Sequence, residues 1–248
     1  MTTEAPRPTG VILGATGAIG VAVCQAMAPD WNLVGVSRRG LSKELLDIGV
    51  AELRVDITTP DAGDEVVAWL DDAGLGCDAL VATSGIHEVA LLIEYQMESV
   101  ERMLSVNFLG PLAVTRALLP GMLARRRGSI VWVSSVRGEL GDPGQVAYAA
   151  TKGAMNSAVY SLAREVGRRN VRANIVAPGV VKSPMTEVLA QSWQESLKER
   201  NPLGRMADPE EVAAVISWLA GPDSSYVTGT IVNVDCGESA AVLKEPAV

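Results

Sequence analysis

Short apolar runs alternate with helical patterns along most of the chain. Because the runs are continuously apolar, they are typical of parallel strands that are covered on both faces of a sheet. The alternation predicts an α/β fold, a single Rossmann-type doubly wound domain with a seven-stranded parallel sheet flanked by helices. The predicted strands lie at residues 11–13, 32–36, 51–55, 78–82, 129–133, 171–177 and 231–234, and the later helices at 61–72, 97–126 and 147–169, after a first helix that ends at residue 28.

The segment 178–209 breaks this alternation, since it contains four prolines. We interpret it as an excursion above the sheet, with a substrate lid at residues 180–207. Met185, Leu189 and Trp193 fall at helical spacing within it. They either form the apolar underside of the lid or pack a small helix in the ordinary way.

Length, composition and charge exclude some classes of function for this chain. The 248 residues suit one domain over residues 1–248, without an internal repeat or a low-complexity linker. Net charge is −8 and aromatic residues make up 4%, which argues against nucleic-acid binding through charge or stacking. No apolar run reaches the ~18 residues that span a bilayer, and the polar residues 1–9 lack a signal-peptide pattern. We therefore expect a cytoplasmic protein without nucleic-acid or membrane partners.

The cysteines and the single histidine lead us to expect no metal. Cys24, Cys77 and Cys236 are odd in number and widely spaced, which favours reduced, buried thiols over disulfides or a metal site. His87 is the only histidine, so a site that needs two is excluded. It lies just after the glycine that follows the fourth strand, where a solvated loop histidine is favoured over one that lines a substrate entrance.

A glycine-rich turn joins the first strand to the first helix. It reads Gly-x-x-Gly-x-x-Gly from Gly14 to Gly20. Glycines at such a turn let the helix N-terminus approach a pyrophosphate, although a plain βα turn is the alternative. The dinucleotide contacts predicted in this turn are Gly14, Thr16, Gly17, Ala18, Ile19 and Gly20.

The second strand ends in Ser37-Arg38-Arg39, without the acidic residue that commonly holds the ribose hydroxyls of NAD. Guanidinium groups suit a 2′-phosphate through their charge and their planar fork of donors. Two solvated arginines at the start of a loop are the alternative. The residues favour NADP(H), with Ser37 and Arg38 as contacts.

Tyr148 and Lys152 are four residues apart within a helical pattern, and Ser135 lies thirteen residues before the tyrosine. This spacing puts the tyrosine and the lysine on one helix face, about 5–6 Å apart at Cβ. A nearby ammonium would lower the tyrosine pKa, so that the phenol exchanges a proton with a ketone or carbinol oxygen. Ser135, which strand alternation favours over Ser134, would hold the same oxygen by a hydrogen bond.

With these motifs the chain resembles the short-chain dehydrogenase/reductase family, over residues 9–240. The catalytic tetrad of that family corresponds to Asn107, Ser135, Tyr148 and Lys152. Within the family, the chain is most similar to β-ketoacyl carrier-protein reductases. The matches to those reductases lie at residues 144–152, 174–179, 202–205 and 208–211.

The resemblance implies a role for each residue of the site. Tyr148 would be the general acid, Ser135 would polarise the carbonyl, and Lys152 would also bind the nicotinamide ribose. Asn107 would kink its helix and hold a water that links Lys152 to solvent. The other implied cofactor contacts are Asp56 and Ile57 at the adenine, Val181 and Thr186 near the nicotinamide, and Ser84, Gly85, Pro178 and Gly179.

Several positions depart from the family pattern. Ser84 lies in Ala-Thr-Ser-Gly where Asn-Asn-Ala-Gly is common, Ala18 and Cys236 stand where glycines are usual, and Gly17 replaces a residue that is often basic. None removes a catalytic group, so they suggest a diverged, pathway-specific reductase. We expect NADPH-dependent reduction of a ketone to a secondary alcohol, on a β-ketoacyl thioester or a polyketide-type biosynthetic intermediate. The alternatives are an alcohol dehydrogenase on a free steroid, sugar or aromatic ketone, and a non-catalytic NADP-sensing protein.

Two further features bear on partners. Family members are commonly tetramers built on the two long central helices, and the apolar positions of 147–169 extend beyond one stripe, so a homotetramer is expected. Arginines end both long helices, at 125–127 and 168–169. If both helix ends lay near the site, they would form a basic patch for an acidic carrier protein or a phosphopantetheine phosphate. Cations that complement the helix dipoles are the slightly favoured alternative.

Overall fold

The seven apolar runs form one parallel sheet in the computed structural model, which describes residues 7–187 and 201–240, without the side chains of Met185 and Glu187. The strand order is β3-β2-β1-β4-β5-β6-β7, so the predicted doubly wound fold is confirmed. The strands are β1 Thr9–Leu13, β2 Asn32–Ser37, β3 Ala51–Arg54, β4 Ala79–Ala82, β5 Gly128–Val133, β6 Val171–Pro178 and β7 Ile231–Val234.

Helices cover both faces of this sheet. A π-turn, Ser105–Leu109, joins the fourth helix to the fifth, and a 3-10 turn, Gly167–Arg169, ends the seventh. The helices of the described ranges are α1 Ala18–Met27, α2 Lys43–Asp47, α3 Ala62–Asp72, α4 Met97–Leu104, α5 Gly110–Arg125, α6 Arg137–Leu140, α7 Val146–Val166, α8 Pro184–Glu187 and α9 Pro209–Ala220.

The apolar pattern did not predict α2 or α9. Helix α9 begins with Pro209 in its first turn, and Asp208 and Glu211 form a reciprocal capping box. Proline at that position and such a box are recognised helix-start signals. Pro209 also ends the irregular, proline-rich segment 178–209, and this position hides the start of the helix in the sequence.

The side chains of β5 are buried on both faces of the sheet, in two separate hydrophobic core clusters. Ile130 and Trp132 are buried among side chains of α3, α5 and α7. Val131 and Val133 point the other way and are buried among side chains of α1 and α9. Successive side chains of a strand alternate between faces, so a continuously apolar strand is the one that two helical layers can cover.

The order in which strands are added to the sheet reverses between the neighbours β1 and β4. The strands β2 and β3 extend the sheet on the side of β1, and β5, β6 and β7 extend it on the side of β4. The loops after these two strands meet there, and this is where ligands bind in open α/β sheets. Gly14 has φ +78°, and a Cβ on it would lie 2.7 Å from the backbone nitrogen of Ser84. Only glycine therefore lets the two loops approach so closely.

The helical stretch 97–125 is the one segment of the described ranges that is long and apolar enough to cross a membrane, by length and composition alone. Its 18-residue window has a mean hydropathy of 1.3, whereas no uninterrupted run of that length exists in the sequence. The mean hydropathy is high although the stretch contains the polar residues Asn107 and Thr115, both of which are buried. Val114, Leu118 and Met122 of this stretch are buried in the core beneath the sheet.

The two ends of the predicted lid pair with each other beside β6. Val181 forms a parallel bridge with Ala207, and the Ala207 amide donates to the Val180 carbonyl at 2.9 Å. The excursion therefore leaves and rejoins the domain at one place, and its role as a lid stays a prediction. Leu189 and Trp193 lie outside the described residues, and of Met185 only the backbone is described.

The described cysteines are free. Cys24 and Cys77 are buried as predicted, and burial raises the pKa of each thiol to about 12. The burial predicted for Cys236 is not complete. Cys236 is half-buried and adopts φ +56°. This left-handed conformation is the reason that glycine suits the position.

Candidate active site

Ser135, Tyr148 and Lys152 converge beyond the carboxyl end of β5. Ser135 follows this strand by two residues, and Tyr148 and Lys152 lie on the first turns of α7. The Ser135 side chain acts on the Tyr148 phenol and lowers its pKa, against the larger effect of burial. The Lys152 Nζ atom lies 5.7 Å from the centroid of the tyrosine ring. The predicted catalytic groups thus share one place at the sheet edge.

The neighbouring serines take different roles. The Ser134 hydroxyl donates to the Lys152 carbonyl at 3.1 Å, so it fastens the strand end to α7. The Ser135 hydroxyl faces Tyr148 and accepts the Arg137 amide at 3.2 Å. The alternation argument for Ser135 is therefore consistent with the geometry.

Asn107 is fully buried within the π-turn between α4 and α5. A π-turn inserts one extra residue into a helix and is frequent at functional sites. The Asn107 amide brackets the backbone of Ile86, since Oδ1 accepts from its N–H at 2.8 Å and Nδ2 donates to its carbonyl at 3.0 Å. Nδ2 also donates to Thr151 Oγ1 at 3.1 Å. Asn107 thereby connects the loop after β4 to α7. The water that Asn107 would hold between Lys152 and solvent remains a prediction.

The pKa of Tyr148 is raised above its ordinary value, so the expected lowering by Lys152 is wrong in this structure. Burial is the main cause, and the Ser135 hydrogen bond and the Arg137 charge oppose it only in part. Burial also lowers the pKa of Lys152 to about 8. Tyr148 is consequently a protonated phenol at neutral pH, which is the form that donates a proton to a ketone oxygen.

A cavity of about 210 Å³ opens where the loops after β1, β2, β3 and β4 meet. Nine of its lining residues are predicted cofactor contacts: Gly14, Thr16, Gly17, Ser37, Arg38, Asp56, Ile57, Ser84 and Gly85. The sequence motifs did not identify the others, which are Val36, Val55, Thr58, Thr83, Ile86 and Val106. Most of these residues lie at or just after the carboxyl ends of β2, β3 and β4, and Val106 lies on the π-turn before α5. Their signal is positional and not a motif.

Several features of this cavity fit a dinucleotide. The hydroxyl oxygens of Ser37 and Ser84 are buried without a hydrogen-bond partner in the described part of the chain, and buried polar atoms are rarely left unpaired. A Cβ on Gly17 would meet nothing closer than 3.5 Å, so that side of the turn is open. The first N–H groups of α1 have no intrahelical acceptor and suit a phosphate.

Arg38 and Asp56 face each other at the rim, with Nη1 and Oδ2 3.7 Å apart. Asp56 has a lowered pKa, first because Thr58 donates to it through its hydroxyl and its amide, and less because of Arg38. The Arg38 side chain is 61% exposed. Its guanidinium is therefore free to turn toward an anion on a bound nucleotide.

The remaining predicted cofactor residues lie outside this cavity. Gly20 is required by packing, because a Cβ there would lie 2.2 Å from the Gly14 carbonyl oxygen. The Thr186 hydroxyl is hydrogen-bonded within its own turn. It donates to the Val181 carbonyl at 2.9 Å and accepts from the Ser183 amide at 2.9 Å. The other residues of this group, whose contacts stay predictions, are Ala18 and Ile19 on α1, Pro178 at the end of β6, and Gly179 and Val181 after it.

His87 is not the solvated loop residue that was favoured. Its ring meets the ring of Tyr148 edge-on, with centroids 4.6 Å apart and planes at 73°. The Nε2 atom is buried without a hydrogen-bond partner among the described residues. The available signal was position, because His87 follows β4 at the same sheet edge as Ser135.

The arginines at 125–127 and 168–169 lie at the opposite sheet edge. They immediately precede β5 and β6, whereas Ser135 follows β5. A six-residue strand spans about 20 Å, so the condition for a basic patch at the site mouth is not met. Arg125 donates to the Cys77 carbonyl at 2.6 Å, and Arg126 to the Arg168 carbonyl at 3.1 Å. These cations satisfy helix-end and loop carbonyls.

Comparison with known proteins places the chain among reductases. A family model described as enoyl-(acyl carrier protein) reductase matches residues 14–239. The chain is 39% identical over 237 residues to the 3-oxoacyl-[acyl-carrier-protein] reductase FabG of Thermotoga maritima, covering 92% of this chain and 96% of that protein. It is 31% identical over 240 residues to the 3-oxoacyl-[acyl-carrier-protein] reductase MabA of Mycobacterium tuberculosis, covering 95% and 96%.

A solved structure extends the likeness to the fold. The crystal structure of 3-oxoacyl-[acyl-carrier protein] reductase from Brucella melitensis superposes with a TM-score of 0.84 at 32% identity. The match covers 96% of this chain and 97% of that one. The similarity therefore spans the sheet, the glycine turn and the site at its carboxyl edge.

Proposed function

Because the chain belongs to the short-chain dehydrogenase/reductase family, we propose that it reduces the ketone of a 3-oxoacyl thioester to a secondary alcohol with NADPH. It is an oxidoreductase that acts on CH–OH and C=O groups. The observation that carries the proposal is the convergence of Ser135, Tyr148 and Lys152 beyond the carboxyl end of β5, with the Lys152 Nζ atom 5.7 Å from the centroid of the tyrosine ring.

The reaction adds a hydride and a proton across the carbonyl. NADPH, when bound, supplies the hydride to the carbonyl carbon. Tyr148 gives its phenolic proton to the carbonyl oxygen, and Ser135 donates a hydrogen bond that steadies the developing alkoxide. Lys152, fixed by its bond to the Val133 carbonyl at 2.9 Å, presents a positive charge beside the phenolate that remains.

The preference for NADPH over NADH is supported by the end of β2. Ser37 offers an unpartnered hydroxyl, and Arg38 offers an exposed guanidinium at the rim of the same cavity. A 2′-phosphate would suit both donors, and β2 ends without the acidic residue that commonly holds the ribose hydroxyls of NAD.

The 3-oxoacyl substrate is proposed from the names of the relatives, which act on groups attached to an acyl carrier protein. A polyketide-type intermediate is a thioester of the same kind. An alcohol dehydrogenase on a free ketone is the second candidate, and the buried polar groups beside Tyr148 are compatible with it. A non-catalytic sensor would have no use for the Ser135–Tyr148 pair. The carrier protein would dock elsewhere than at the arginines of the far edge.

We also propose that the protein is a cytoplasmic homotetramer. Of the apolar positions of α7 that suggested a second stripe, Met155, Val159, Ala163 and Val166 face the core, and Ala149 is half-buried, so these positions do not support a second stripe. Exposed apolar side chains on the long helices support assembly instead, namely Leu104, Leu109, Leu112 and Tyr160.

The experiment for the proposed reaction is NADPH consumption with a panel of thioester-linked and free ketones. We expect the highest kcat/KM with 3-oxoacyl thioesters. Consumption only with free ketones would favour the alcohol dehydrogenase, and NADPH binding without turnover on any ketone would favour the sensor.

A further inference from the structure

A second cavity continues the cofactor cavity on the side of α4. It measures about 650 Å³ and shares Arg38, Thr58, Ile86 and Val106 with the first cavity. The first cavity alone measures about 210 Å³, which is below the roughly 300–1,000 Å³ of small-molecule and cofactor sites. A bound dinucleotide therefore needs adjoining space, and the second cavity offers such space beside the adenosine end of the site.

Arg102 is the cation that the second cavity adds to the site. It lies on α4, four residues before Val106, and its side chain lines the second cavity together with Val106. The Arg102 side chain is 64% exposed, and its Nη2 atom lies 3.4 Å from Glu88 Oε2. An exposed ion pair of this kind contributes little to stability. The Arg102 guanidinium can therefore leave Glu88 for a ligand at small cost.

The place of this cavity in the sheet favours the adenine over the 2′-phosphate as its occupant. A 2′-phosphate held by Ser37 and Arg38 lies at the end of β2, and β1 separates β2 from β4. Neighbouring strands are about 4.8 Å apart, so the loop after β4 lies about 10 Å from that phosphate. The walls that both cavities share on this side are the apolar residues Ile86 and Val106. They suit the flat faces of a base that is attached to the same ribose.

We propose that Arg102 is a further cofactor-binding residue, whose guanidinium stacks on the adenine ring at the outer end of the wall formed by Ile86 and Val106. This inference rests on the proposed function, because the nucleotide of that proposal is its ligand. A planar guanidinium stacks on aromatic rings in a way that an ammonium does not. Arg38 and Arg102 would then have separate roles. Arg38 would bind the 2′-phosphate, and Arg102 the base that NADPH and NADH share.

The test measures Kd for NADPH, NADH and adenosine 2′,5′-bisphosphate by isothermal titration calorimetry, in the wild type and in Arg102→Ala. Loss of a cation–π contact at an exposed site should raise all three Kd values by a similar factor, about two- to fivefold. Adenosine 2′,5′-bisphosphate carries the base and the 2′-phosphate without the nicotinamide. An equal effect on this ligand locates the contact at the adenosine end, independently of any turnover.

Three further variants separate stacking from charge. Arg102→Lys keeps the positive charge and loses the planar group, so its Kd values should match those of Arg102→Ala. Glu88→Gln removes the ion pair of Arg102 and should leave each Kd unchanged or lower it by up to about twofold. Arg39→Ala is the matched control for the loss of one positive charge at this sheet edge, because Arg39 is exposed and lines neither cavity. It should leave all three Kd values close to those of the wild type.

The possible results are distinct. A higher Kd for NADPH and adenosine 2′,5′-bisphosphate but not for NADH would place Arg102 at the 2′-phosphate and overturn the assignment to the adenine. Unchanged Kd values in Arg102→Ala, or wild-type binding by Arg102→Lys, would also overturn it. Equal weakening in Glu88→Gln would show that the ion pair, and not the base, accounts for the effect. Wild-type protein that binds neither NADPH nor NADH would instead refute the proposed function itself.

Discussion

Lys152 directs its ammonium at the carbonyl of Val133, 2.9 Å away, and not at the hydroxyl of Tyr148. The bond joins the end of β5 to α7 and places the Nζ atom beside the face of the tyrosine, 5.7 Å from its centroid. The lysine is buried, and desolvation makes its charged form less stable than in water. The positive charge behind the proton donor is therefore maintained at a cost in folding free energy.

This cost predicts a pH dependence of stability. Burial lowers the pKa of Lys152 from 10.5 to about 8, so between these values the unfolded chain binds more protons at this residue than the folded one. Its contribution to the free energy of unfolding therefore rises as pH increases through this window. Urea unfolding of the wild type and of Lys152→Met at pH 8 and pH 10 measures it. The stability difference between the two proteins should shift in favour of the wild type at pH 10, and an unchanged difference would contradict the assignment.

Cofactor preference should depend on Arg38 and not on its neighbour. Arg38→Ala removes a charge-assisted contact to the 2′-phosphate and should raise Kd for NADPH about 10- to 100-fold, with a much smaller effect on NADH. Arg39→Ala is the control, because Arg39 is exposed and does not line the cavity. Titration of cofactor fluorescence measures both. Wild-type protein that binds NADH more tightly than NADPH would exclude the NADP(H) proposal.

The buried pair of Arg137 and Glu238 should be sensitive to the loss of one member. Their side chains are only 10% and 7% exposed, and the Arg137 Nε atom also lies 3.5 Å from Asp142 Oδ2. Arg137→Met would therefore remove the guanidinium from two carboxylates, of which that of Glu238 is the more deeply buried. We expect it to lower the free energy of unfolding by about 3–5 kcal/mol. The double variant Arg137→Met/Glu238→Leu should recover most of the loss, as measured by chemical denaturation. A double variant less stable than Arg137→Met would show that the charges themselves stabilise the fold.

Self-association should depend on the exposed apolar face of the long helices. Sedimentation should give the mass of four chains at micromolar concentration. Leu109→Glu places a charge on a side chain that is 46% exposed, so it should dissociate the assembly without disturbing the core. A wild-type mass of one chain would contradict the proposed tetramer.

The fold and the catalytic groups could be predicted because their signals are local. Parallel strands covered on both faces are read from continuous apolar runs, and Ser135, Tyr148 and Lys152 are related by spacing along one strand and one helix. The glycine turn is likewise constrained by contacts within a few residues, as the approach of Gly20 to the Gly14 carbonyl illustrates.

What could not be predicted depends on contacts between distant segments. The balance of burial and charge at Tyr148 involves Arg137 and Ser135, and the desolvation that dominates it has no sequence signature. His87 reaches Tyr148 across sixty residues, so only its place after β4 pointed to the site. The arginines do not form the predicted basic patch at the site mouth, and the reason is topological. A crossover helix ends beside the amino end of the next strand, and the site lies at the carboxyl ends of the strands.

The most direct test of the central claim is the rate of ketone reduction by Tyr148→Phe. Phenylalanine keeps the ring that packs against His87 and removes only the proton donor. With a 3-oxoacyl thioester, kcat should fall at least about 100-fold, while Kd for NADPH stays close to the wild-type value. NADPH consumption and cofactor fluorescence measure the two quantities on one preparation. Turnover near the wild-type rate in this variant, with the cofactor still bound, would contradict the assignment of Tyr148 as the proton donor.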